Sequence, residues 1–73
     1  MNTIKYESEN GYTGVLCEKN GIWALAVFDG KLREVLHSSS PRCRTPEELK
    51  EVIEQVPSVI ETLNEYGIQL LER

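Results

Sequence analysis

Hydrophobic and polar residues alternate in short runs through the first half of the chain and recur at helical spacing through the second. Thr3-Ile4-Lys5-Tyr6-Glu7 has the period-two pattern of a half-buried strand. Glu9-Asn10-Gly11 supplies turn residues, and Tyr12 to Glu18 reads as a second strand. Asn20-Gly21 then favours a two-residue type I′ hairpin, because both central positions of that turn need positive φ. Ile22-Trp23-Ala24-Leu25-Ala26-Val27-Phe28 is apolar at both parities, which places it centrally in a sheet. As one regular strand it points Trp23, Leu25 and Val27 one way and Ile22, Ala24, Ala26 and Phe28 the other. Asp29-Gly30 predicts another tight hairpin, with Gly30 at positive φ like Gly21. In Lys31–His37, Leu32, Val35 and Leu36 have helical spacing, but the preceding Asp-Gly and the short length favour a strand.

Ser38-Ser39-Ser40-Pro41 ends that element, and Thr45-Pro46-Glu47-Glu48 opens a helix. Thr45 is suited to the N-cap, Pro46 to the first helical position, and Glu48 to a capping box. Leu49, Val52, Ile53, Val56, Ile60, Leu63 and Gly67 then fall on one stripe, with Val59 and Tyr66 at its edge. Pro57 removes a helical hydrogen bond and disfavours helical geometry at Val56, yet the stripe keeps its phase through it. Gly67 is placed to cap the C-terminus. The pattern predicts a single α+β domain over residues 1–73. It is a small antiparallel β-sheet of three to four hairpin-connected strands, followed by a C-terminal helical segment kinked or split at Pro57.

One helical layer covers one face of such a sheet. The other side of 22–28 then needs a cover of its own, and two solutions are open. A second copy of the chain can pack there as a two-fold homodimer, or residues 68–73, with Ile68, Leu70 and Leu71, can fold back over it.

Length and charge narrow the function. A chain of 73 residues makes one small core and has little packing to spare for an enclosed catalytic cavity. The net charge of −4 is uneven: residues 1–30 sum to −2, residues 31–44 to +3 and residues 45–73 to −5. An acidic whole opposes generic nucleic-acid binding, which phosphate neutralisation dominates. There is no apolar run of about 20 residues to cross a membrane. The opening MNTIKYESEN has neither the basic start nor the apolar stretch of a signal peptide. A cytoplasmic location with reduced cysteines is the expectation.

Few residues combine into chemistry. Cys17, His37 and Cys43 lack zinc-ligand spacing, so neither metal nor cofactor is expected. Cys43 lies between Arg42 and Arg44 before the helix start, where a thiol pKa is lowered, but no base accompanies it. No nucleophile–base pair and no paired catalytic carboxylates can be placed, so an enzyme is not expected. Ser38 to Thr45, with Arg42 and Arg44, can converge on an anion at the helix N-terminus. Lys31, Arg33, Arg42, Arg44 and Trp23 are therefore the candidate anion- or partner-binding residues.

Glu9-Asn10-Gly11-Tyr12 followed by Thr45-Pro46-Glu47-Glu48-Leu49 is similar in layout to HicB-type antitoxin domains, a small β-β-β-α fold. The proline-glycine segment typical of that family is absent. Three strands then a helix also resembles the N-terminal DNA-binding domain of some phage and transposon integrases, whose binding sheet is basic, unlike this one. The expected function is a small non-catalytic binding or regulatory module acting through protein–protein contacts. The alternative is an antitoxin-like or DNA-binding regulatory module using the basic segment 31–44.

Overall fold

The computed structural model describes residues 2–70. Strands β1 (Thr3–Glu7), β2 (Thr13–Lys19), β3 (Ile22–Phe28) and β4 (Glu34–Ser39) precede helices α1 (Pro46–Glu54) and α2 (Pro57–Tyr66). The strands form one antiparallel meander in the order β1-β2-β3-β4. The α+β class and the all-hairpin sheet follow the sequence pattern, with four strands and two helices that separate at Pro57.

The β2–β3 turn is the expected one, with Asn20 at φ 56° and Gly21 at φ 80°. The β3–β4 connection is not. Gly30 does not adopt positive φ; Leu32 does, at 62°. The loop spans residues 29–33 and is closed by Asp29, whose backbone N–H donates to the Arg33 carbonyl at 2.9 Å. The Asp29 carboxylate accepts from the Lys31 and Arg33 amides at 2.8 and 2.9 Å and from Arg33 Nε at 3.1 Å. An aspartate able to hold two amides of its own loop displaces the two-residue turn that Asp-Gly favours. Accordingly β4 begins at Glu34 and takes in Ser38 and Ser39. Its register slips between Val27↔Leu36 and Phe28↔Glu34, leaving Val35 as a bulge residue.

Thr45 caps α1 as its residue type requires, its Oγ1 accepting from the Glu48 amide at 3.1 Å. The Glu48 carboxylate returns to the Arg44 amide and to the Thr45 hydroxyl, both at 3.3 Å, which shifts the reciprocal bond of the capping box by one residue. Gly67 ends α2 in the left-handed region at φ 76°. The Ile68 amide reaches the Leu63 carbonyl at 2.9 Å, and both side chains are buried, the pattern of a Schellman cap.

The core lies between one sheet face and the helices. Leu16, Trp23, Leu25 and Val27 from the strands meet Leu49, Ile53 and Leu63 from the helices. Val52 and Val56 do not join them. Each is 37% exposed, because Val52 sits at the edge of the α1 stripe and Val56 leaves the helical path at φ −119° and ψ 91° before Pro57. Ile68 and Leu70 close the same core at 3% and 2% exposure. A Cβ on Gly14 would lie 3.1 Å from Ile68 Cγ2, so this segment runs over the strand face that holds Gly14. Ile68 and Leu70 thus reinforce the helix-covered face and do not cover the other one. Leu71 lies outside the described residues.

Candidate interaction surface

The pairing fixes which side chains share the opposite face. Lys5, Val15, Ala26 and His37 form one row across the four strands, and Thr3, Cys17, Ala24 and Ser39 form the next. Phe28 stands beside Thr13 and Glu34, and Ile22 beside Lys19. The middle of this face is therefore Ile22, Ala24, Ala26, Phe28, Val15 and Cys17, edged by Lys5, Glu7, Glu34 and His37. The helices and Ile68 and Leu70 all contribute to the core on the other side. Strand β3 is apolar on both faces and has one of them covered by described residues.

The sequence candidates do not form one site. Lys31 and Arg33 occupy the β3–β4 loop, while Arg42 and Arg44 occupy the β4–α1 loop at the other end of β4. Six strand residues separate the pairs, about 20 Å at 3.3 Å per residue. Arg44 reaches the β2–β3 turn, with Nη1 3.4 Å from where a Gly21 Cβ would stand. The +3 segment is thus two distant pairs of cations. Trp23 is buried at 7% exposure on the core side, and its backbone N–H donates to the Cys43 carbonyl at 2.8 Å. It is a core residue and offers no ring to a partner.

The proposed anion pocket is filled from within. The helix N-terminus is occupied by the Thr45 hydroxyl and the Glu48 carboxylate, and the Ser40 hydroxyl accepts from the Arg42 amide at 3.3 Å. The Cys43 side chain is 1% exposed in the core, while Cys17 is half-buried on the open face. Cys17 and His37 lie on β2 and β4 with β3 between them, and Cys43 is on the opposite side of the sheet. The three do not gather.

Sequence reasoning missed the tip of the β3–β4 loop. Leu32 is 81% exposed there, between two cations. The Asp29 carboxyl beneath it is held below the usual carboxylate range, first by the Arg33 backbone amide, then by the Lys31 amide and the Arg33 guanidinium. The signal in the sequence was Asp29 itself, whose short carboxylate can accept the amides of the residues that follow in competition with the Asp-Gly turn. The chain matches no family model, no curated protein and no solved structure, and neither layout resemblance noted from the sequence gains support.

Proposed function

We propose that this domain is a non-catalytic binding module that engages another protein through the open face of its sheet. The observation that carries the reading is the apolar row Ile22, Ala24, Ala26 and Phe28, with Val15 and Cys17 beside it, on the face opposite the core. A contiguous apolar patch on a small domain marks an interaction site more often than scattered apolar residues do. Four strands about 4.8 Å apart and about 20 Å long present roughly 400 Å². Standard interfaces use about 800 Å² per partner, so the contact is of the weak, transient kind. The distance between the two cation pairs argues against the DNA-binding alternative, which needs phosphate-spaced positive charge on one surface.

The test places a photo-crosslinking residue at Ala24, and at Glu61 as a control on the exposed side of α2. A discrete adduct formed only from position 24 is expected. The adducted protein, purified, should bind the native domain and fail to bind the Ala24→Arg variant. Equal adducts from both positions, or binding indifferent to Ala24→Arg, would overturn the reading.

A further inference from the structure

We infer that the β3–β4 loop is a second contact device, an apolar tip between two cations that docks on the α1–α2 junction of another copy of this chain. The tip is built at a conformational cost. Leu32 holds φ 62°, a region that glycine or asparagine enters freely and leucine does not. Either would make the same turn, and the leucine side chain, 81% exposed, repays none of the strain within its own chain. Five hydrogen bonds fix the loop nonetheless, all of them made by Asp29. A strained residue persists when its surroundings over-determine it, and such residues cluster at contact and switch sites. A large apolar side chain presented on a pinned loop loses little freedom on docking, which favours it as an anchor.

The chemistry of the tip selects its receptor. Lys31 and Arg33 flank Leu32, and the Arg33 side chain is 73% exposed even while paired to Asp29. The matching surface is apolar with carboxylates around it. This chain has one. Val52 and Val56, each 37% exposed, stand four residues apart, with the exposed Glu51 next to Val52 in α1. One leucine with two cations falls short of the two membrane signals that stable anchoring takes, so a lipid surface is the poorer match.

Sedimentation equilibrium of the full chain over a wide concentration range tests the inference. Association should weaken as salt rises from about 0.05 to about 0.5 M, because the screening length shrinks several-fold. Leu32→Gly should lower the association constant at least about tenfold while raising the urea midpoint of the monomer, so loss of binding is not loss of folding. Lys31→Glu and Glu51→Lys should each weaken association, and mixing the two variants should restore it. A wild type that stays monomeric at every concentration overturns the inference. So does association that survives Leu32→Gly and fails in Ala24→Arg, a result that leaves the open-face reading standing.

Discussion

The position of Ile68 makes the sharpest demand on the structure. Replacing a buried isoleucine by alanine costs about 2–5 kcal/mol, and Ile68 is 3% exposed. A domain of 73 residues has a total stability of roughly 4–11 kcal/mol, so Ile68→Ala should remove a large share of it. Gly14→Ala alone should do little. An alanine in a strand gains about 0.5–1 kcal/mol over glycine, and the new methyl, 3.1 Å from Ile68 Cγ2, gives most of that back in crowding. In the double variant the crowding is gone and the methyl occupies part of the cavity. A methyl of about 27 Å³ recovers about 0.6 kcal/mol at 24 cal/mol per Å³. The double variant should therefore be about 1 kcal/mol more stable than the sum of the single effects predicts, within the range of residues in contact. Urea titrations followed by the fluorescence of Trp23, the only tryptophan and 7% exposed, measure all four corners of the cycle. Additivity within about 0.3 kcal/mol would show that Ile68 does not lie on Gly14, and the packing of residues 68–70 described above would be wrong.

Thr45→Ala should cost about 1 kcal/mol by denaturant unfolding, since its Oγ1 accepts the Glu48 amide at 3.1 Å; an unchanged midpoint would place the helix start elsewhere. Asp29 has a lowered folded pKa, so its contribution is present above the ordinary carboxylate value of about 3.9 and is lost as pH falls through the folded value. The midpoint gap between wild type and Asp29→Asn should accordingly close below about pH 4, and a gap constant with pH would exclude the ionised carboxylate as its source. With a thiol reagent under native conditions one cysteine per chain should react quickly, and Cys17→Ser should abolish that phase, because Cys43 is 1% exposed; two fast thiols would contradict the burial of Cys43.

The strands were legible as short runs bounded by turn residues, although Leu32, Val35 and Leu36 have helical spacing and β4 starts at Glu34, three residues later than read. Lys19-Asn20-Gly21 predicted its turn correctly because no neighbouring side chain competes for the amides. Asp29-Gly30 misled because the same residue type that favours a tight turn can bind amides further along, and Asp29 binds those of Lys31 and Arg33. Thr45 and Gly67 were readable as caps, since capping is decided within one turn of helix. Distances across the fold were not readable. The basic residues of 31–44 look like one cluster in sequence, and six residues of extended strand pull them to opposite ends of the sheet. Whether Ile68 and Leu70 cover the core or the open face depends on where α2 ends and in which direction the chain leaves Gly67. Periodicity carries no information on either point. Trp23 belonged to one of two faces by parity alone, and the helices settled which.

The open face has a composition that solubility alone does not explain. A sheet face meant only for water is ordinarily kept safe with Lys, Glu or Thr at the central positions. Here the edge strands follow that rule, with Lys5 and Glu7 on β1 and Glu34 on β4, while β3 places Ala24 and Ala26 at the centre. The alanines keep the patch small in apolar area, and Ala26 is already 8% exposed between Val15 and His37. They also leave the backbone of β3 close to whatever settles on it. If the face binds as proposed, its larger contacts come from the ends, where Ile22 and Phe28 stand, and its middle contributes shape. This explains how a domain with so small a core can display two apolar faces on one strand. The face that holds the fold together carries leucines and a tryptophan, and the opposite face carries alanines at its centre with Ile22 and Phe28 at its ends.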